Sequence, residues 1–167
     1  SLPDKLNISF LKYFWQITPL RSSKEQNIPR FLRKIDVFKN FTDHELYVLS
    51  KFIHARLFSA NEVVFRQHDV GVGFYLIYSG KVDIRVEGER EDKADGTQAD
   101  YLLSLEKYEY FGELALLQEH SIRNASVISK GRCELLGIFK PDLDELIYSH
   151  PVVAAKLLQS VSIIISN

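Results

Sequence analysis

The sequence predicts a mainly β domain, a sandwich or jelly roll, with helices at both ends. Three observations lead there. Between Leu57 and Phe139, short apolar runs recur at intervals, separated by glycines or charged residues. Within one run, Val82, Ile84 and Val86 alternate with Lys81, Asp83 and Arg85, the two-residue period of a half-buried strand. On either side of this region, helix-starting signals at Thr42, Pro141 and Pro151 introduce apolar stripes.

Residues 1–28 read as a helical extension or linker. The aromatic stretch Phe10-Leu11-Lys12-Tyr13-Phe14-Trp15-Gln16-Ile17 carries too little positive charge for a membrane-surface helix, so it is expected to pack on protein. The polar run 21–27 follows as a linker. A helix starts near Thr42, because Thr42 and Glu45 have capping-box spacing and Phe41 and Leu46 fit the accompanying hydrophobic staple. Leu46, Leu49, Phe52 and Ile53 would share its buried face.

Among the strands, Gly71 and Gly73 mark one turn, and Ser79-Gly80 signals a tight turn between a strand over 74–78 and the alternating strand after it. The charged run 87–100 reads as a hairpin loop. Strands resume over 101–105, 125–129 and 134–139. Pro141 suits a first helical turn, and Asp142, Asp144 and Glu145 suit its positive end. Pro151 opens a last helix, 151–167, with the stripe Val153, Leu157, Leu158, Val161, Ile164, Ile165. That stripe needs a cover: as a lid over a ligand, as a homodimer helix, or against its own barrel.

Composition narrows the function. The 167 residues suit one domain, and 46% hydrophobic content supports a core. A net charge of −1 gives no broad attraction to nucleic acid or anionic membrane, so no direct nucleic-acid binding is expected. No apolar run approaches the ~20 residues of a transmembrane span, and no signal-peptide pattern appears, so a cytoplasmic location is expected. Cys133, the lone cysteine, lies in an apolar run and reads as a buried small hydrophobe. The chain has no methionine, initiator included, and so reads as an excised piece of a longer protein.

Catalytic and metal signatures are absent. The five histidines are scattered without ligand spacing, so no metal or cofactor is expected. The glycines from Gly73 to Gly80-Lys81 have the wrong spacing for a phosphate loop, and no nucleophile elbow or reactive-cysteine motif occurs; an enzyme is not expected.

The informative stretch is Phe111-Gly112-Glu113-Leu114-Ala115-Leu116-Leu117, answered by Arg123-Asn124-Ala125-Ser126. A glycine opens a helical turn whose backbone N–H groups favour an anion. Arg123 can add a charge-assisted bond to the same anion. Glu113, an acceptor only, suits a hydroxyl and repels a bare phosphate. The layout therefore fits a ligand with both a phosphate and a sugar hydroxyl.

These residues resemble the phosphate-binding cassette of the cyclic nucleotide-binding domain family, whose pattern is Phe-Gly-Glu-Leu/Ile-Ala-Leu followed by Arg-x-Ala-Ser/Thr. The likeness extends to the opening segment 31–38 and to hairpin motifs at 65–71 and 74–82. It implies a double-stranded β-helix jelly roll over 29–150, with 151–167 as a lid or dimer helix. By this resemblance, Glu113 holds a ribose 2′-hydroxyl and Arg123 the cyclic phosphate. The N–H groups of Leu114 and Ala115 complete the cradle, with Gly112, Asn124 and Ala125 beside them, and Leu103 and the final helix meet the base. The ligand implied is cyclic AMP, with cyclic GMP second, since Asn124 both donates and accepts and leaves the base open. The implied role is a sensor whose occupancy moves its own C-terminal helices, with the effector lying outside this chain. The alternative is a structural or dimerisation module that keeps the cassette without a ligand. One departure is local: Lys107-Tyr108-Glu109-Tyr110 stands where the family has Pro-Gly-Asp-Tyr.

Overall fold

The computed structural model describes residues 27–88 and 101–167. The expectations for the aromatic N-terminal stretch and for most of the charged loop fall on residues 1–26 and 89–100, outside the described residues.

The first helices are α1 (Ile28–Arg33), a 3₁₀ turn (Asp36–Phe38) and α2 (Asp43–Ser50). At the start of α2, Thr42 Oγ1 accepts from the Glu45 N–H at 3.1 Å and Glu45 Oε1 accepts from the Thr42 N–H at 2.8 Å. The staple residues Phe41 and Leu46 are both buried. The helix is shorter than its apolar pattern suggested. It stops at Ser50, and the N–H groups of Phe52 and Ile53 turn back to the carbonyls of Leu49 and Ser50 at 3.0 and 3.3 Å. Ile53 still reaches the core, but from the turn leading into the first strand.

Among the described residues eight strands follow: β1 (His54–Phe58), β2 (Val63–Phe65), β3 (Val70–Gly71), β4 (Gly73–Val86), β5 (Tyr101–Glu106), β6 (Tyr110–Phe111), β7 (Ser121–Ile122) and β8 (Ser126–Phe139). All pairings are antiparallel. The main sheet runs β1-β8-β4-β5, with β2 also on β8 and β6 on β4, and β3 pairs β7 separately. This is the expected jelly roll with flanking helices.

Two strand boundaries differ from the sequence expectation. Ser79-Gly80 is no hairpin turn, because β4 passes straight through it. Likewise the two strands expected over 125–129 and 134–139 are one, continuous through Gly131. The reason is that a bulge and a turn ask the same thing of glycine, a positive φ. Gly80 has φ 80° and Gly131 φ 75°, and the β4–β8 register shifts on both sides of Ser79. A Cβ on Gly80 would come within 2.5 Å of the Arg132 carbonyl. The ladder itself runs from Gly73 opposite Phe139 to Arg85 opposite Ser126, so the pair bends as a unit without ending.

Strand alternation sorts the core into two layers. From β4, Phe74 and Leu76 point to a helix-side cluster, whereas Tyr75 and Ile77 point into the barrel. From β8, Leu136 and Ile138 join the helix side, and Cys133 and Leu135 the barrel. Burial on both faces explains the unbroken apolar run over 74–77.

Two helices close the chain. In α3 (Lys140–Ser149), Asp142 caps the first turn by accepting from the Phe139 N–H at 2.9 Å. Helix α4 (Pro151–Ser166) buries Val153, Ala154, Leu157 and Val161 against the chain's own helical cluster. Lys156 Nζ fastens it to Glu45 Oε1 at 2.6 Å and to the Asn40 carbonyl at 3.0 Å. Ile163 and Ile165 remain exposed. No described helix is long and apolar enough to cross a membrane.

Candidate ligand-binding site

The cassette is a 3₁₀ turn, Glu113–Leu116, entered through Gly112 at φ 80° and ψ 21°. Only glycine takes this left-handed conformation without strain, and a Cβ would also meet Arg123 Nη1 at 2.7 Å and the Gly73 carbonyl at 2.9 Å. The turn has two faces. Ala115 and Leu116 are buried, Leu116 within the helix-side cluster, while Glu113 and Leu114 face a cavity.

That cavity has a volume of about 330 Å³, within the range of small-ligand pockets, roughly 300–1,000 Å³. One wall is apolar: Phe65 from β2, Ile84 from β4 and Leu103 and Leu105 from β5. Glu113, Arg123 and Asn124 also line the cavity. Gly112, Glu113, Leu114, Arg123, Asn124, Ala125 and Leu103 thus line one space. Ala115 does not; it lies behind the lining, and its N–H donates to the Gly112 carbonyl at 3.2 Å within the turn. The final helix does not line the cavity either.

Arg123 is 7% exposed, and its position is fixed at both ends. Its N–H donates to the Asp69 carbonyl and its carbonyl accepts from the His68 N–H, both at 2.7 Å. The β3–β7 pairing, Val70 opposite Ile122 and Gly71 opposite Ser121, sets this register. Along the side chain, Nη2 donates to the Gly73 carbonyl at 2.7 Å and Nη1 to the Gly112 carbonyl at 3.3 Å, and Cζ lies 4.0 Å from the Phe65 ring centre. The guanidinium occupies space that two glycines leave open: a Cβ on Gly71 would collide with its Cζ and Nε.

Several of these supports were not assigned to the site from sequence. Phe65 and Gly71 stood in the hairpin motif, Gly71 only as a turn marker. The Gly73 carbonyl carries no sequence signal. Tyr110 and Phe111 also line the cavity. Burial raises the Tyr110 phenol above its ordinary value of 10.0, helped by the nearby charges of Glu113 and Asp36. Among the described residues, no cluster of three or more His, Cys, Asp or Glu is placed to hold a metal ion.

The profile of the cyclic nucleotide-binding domain matches residues 55–150, more than half of the chain. Over 116 residues the chain is 28% identical to the cAMP-dependent protein kinase regulatory subunit of Schizosaccharomyces pombe, covering 70% of this chain and 26% of that protein. It is 25% identical to human cGMP-dependent protein kinase 2 over 108 residues, 65% of this chain and 13% of the kinase. The chain therefore spans about a quarter or less of these relatives' lengths. Among solved structures, the Thermus thermophilus catabolite activator protein superimposes with a TM-score of 0.63 at 27% identity, over 78% of this chain and 58% of that one. Cassette, cavity and matched profile coincide on the same residues, and the chain belongs to the cyclic nucleotide-binding domain family.

Proposed function

We propose that the cavity binds a purine 3′,5′-cyclic mononucleotide, cyclic AMP ahead of cyclic GMP, and that occupancy is passed to the helices through the cassette. Arg123 pairs with the cyclic phosphate and Glu113 accepts from the ribose 2′-hydroxyl. Ile84, Leu103 and Leu105 supply an apolar wall for the base. The main-chain share of the phosphate cradle falls to Leu114, because the Ala115 N–H is engaged inside the turn. The observation that carries this reading is that a buried arginine and a glutamate line the same mainly apolar cavity of ligand size.

Transmission follows from the two faces of the turn. Glu113 and Leu114 face the ligand, while Leu116 packs in one cluster with Leu143 and Leu146 of α3 and Leu157 of α4. A ligand that repositions the turn repacks those helices with it. Occupancy is therefore transmitted from beneath the cavity, with no lid. An effector outside this chain would read the movement of α3 and α4.

A second reading has its own support. Arg123 is anchored on two carbonyls and a ring within the protein, so it is stable without an anion. A ligand-free structural module would look the same. Thermal unfolding with cyclic AMP and cyclic GMP separates the two. Ligand at a hundredfold above its Kd stabilises by about 2.7 kcal/mol. For a domain of this size that raises Tm by about 5–10 °C. No shift with either nucleotide at millimolar concentration selects the structural module.

A further inference from the structure

We propose a second anion site, separate from the nucleotide cavity: the groove between α1 and the β5–β6 turn receives a phosphomonoester dianion borne on a side chain of a partner polypeptide. Arg30, Lys34 and Lys107 stand around this groove, and Phe31, Tyr78 and Tyr108 form its aromatic walls. None of the residues lining it lines the nucleotide cavity. Lys34 Nζ lies 5.8 Å and Lys107 Nζ 5.2 Å from the centre of the same Tyr108 ring, so one aromatic side chain is approached by both ammonium groups. Among the described residues, none of the three cations has a carboxylate within ion-pair distance, although the chain as a whole carries net charge −1. Three cations that line one groove and hold no ion pair among the described residues are open to an anion with several acceptor oxygens.

Backbone strain marks the same place. Tyr108 is held at φ 75°, a conformation that disfavours a bulky side chain. Glycine would take it freely, yet the ring is present and stacks on Phe31 at 5.1 Å with an interplanar angle of 22°, while Phe31 meets Tyr78 at 5.0 Å. The strained residue is therefore the one whose ring both ammonium groups approach.

Charge and size select the ligand. A phosphomonoester carries about −1.5 to −2 at neutral pH and three acceptor oxygens, a closer match to three cations than one carboxylate. The groove holds about 160 Å³, below the roughly 300 Å³ at which whole small ligands begin to fit. It takes one group on a stem, and the aromatic walls cover the stem.

The test is a residue-resolved NMR titration of the chain, following the amides of Asn27, Lys34, Lys107 and Tyr108. The probes are inorganic phosphate, phenyl phosphate, and a short glycine-alanine peptide carrying either phosphoserine or serine. Sodium chloride at matched ionic strength is the control. Expected are saturable shifts with phenyl phosphate and the phosphopeptide, and none with the serine peptide. The double variant Lys34→Glu/Lys107→Glu should weaken phosphopeptide binding by about tenfold or more while the amide spectrum away from the groove stays that of the folded parent. Tyr108→Gly should weaken phenyl phosphate more than inorganic phosphate. Equal shifts with sodium chloride would overturn the proposal as simple screening. Inorganic phosphate binding as tightly as the phosphopeptide would overturn the polypeptide source.

Discussion

Replacing Arg123 by alanine separates what this residue does for the fold from what it does for a ligand. On the ligand side, the loss is one hydrogen bond to a charged group, about 1.5–3 kcal/mol. That is about ten- to a hundredfold in affinity for a cyclic nucleotide. On the fold side, the Gly73 carbonyl loses its 2.7 Å donor, and Phe65 loses the cation 4.0 Å from its centre. An orphaned buried acceptor costs about 1–3 kcal/mol and a partly desolvated cation–π contact about 0.5–2 kcal/mol. Together the variant should lose about 1.5–5 kcal/mol, against the 5–15 kcal/mol of a typical domain, and so stay folded in a domain of middling stability. Urea unfolding without ligand reads the second quantity, and calorimetric titration of the folded variant reads the first. Gly71→Ala is the matched control. It keeps the charge but puts a methyl where Cζ and Nε now lie, so it should lower affinity in the same direction through geometry alone. Full parental affinity in Arg123→Ala would remove this residue from the binding site. Full parental stability would show that its two carbonyl bonds contribute nothing net.

Two further outcomes are expected. Glu113→Gln keeps an acceptor but removes its charge, so ribonucleotide affinity should fall by about 1 kcal/mol, roughly fivefold, and preference over a 2′-deoxy ligand should shrink. Paired titrations with cyclic AMP and its 2′-deoxy analogue measure this, and unchanged discrimination would place the 2′-hydroxyl elsewhere. The second outcome concerns the link from α2 to α4. The Lys156 ammonium, and after it the Thr42 N–H, hold the Glu45 carboxyl below its ordinary value of 4.5. A depressed folded-state pKa stabilises fully above the unfolded value and is lost as pH falls through the folded one. Glu45→Gln should therefore cost up to about 1 kcal/mol at neutral pH, a gap from the parent that narrows below pH 4.5. Urea midpoints across that range check the sign, and a gap widening toward acid would refute it.

Much of this was legible because local chemistry decided it. The capping box at Thr42 needs only two side chains three residues apart, and it forms as expected. The alternation at Val82, Ile84 and Val86 survives as part of β4. Cys133 is buried, as its apolar surroundings indicated. The failures share one cause, partners distant in sequence. Gly80 and Gly131 signal a positive φ, but only the facing strand decides between a turn and a bulge. Leu46, Leu49, Phe52 and Ile53 gave a consistent helical face, yet tertiary packing let Ile53 reach the same core from a turn after Ser50. At the site, residue types with chemistry were visible, whereas a carbonyl at Gly73 and the room that Gly71 leaves for the guanidinium were not. Backbone acceptors and absent side chains leave no mark in a sequence.

The anchoring of Arg123 also bounds what a ligand can do to the helices. A bound nucleotide shifts the packing of α3 and α4 only by the difference in its affinity for the two arrangements. If the guanidinium kept its 2.7 Å bond to Gly73 in both, the phosphate would meet the same cation in both, and that contact would transmit nothing. The longer 3.3 Å bond to the Gly112 carbonyl is the weaker of the two, and Gly112 opens the cassette turn. A phosphate that competes for Nη1 releases Gly112 while Nη2 stays fixed. The contact then differs between the arrangements by about one charge-assisted bond, about 1.5–3 kcal/mol, or about a ten- to hundredfold change in their ratio. Under the proposed function, one tight anchor and one loose one on the same guanidinium would let Arg123 serve as both fixed support and switch.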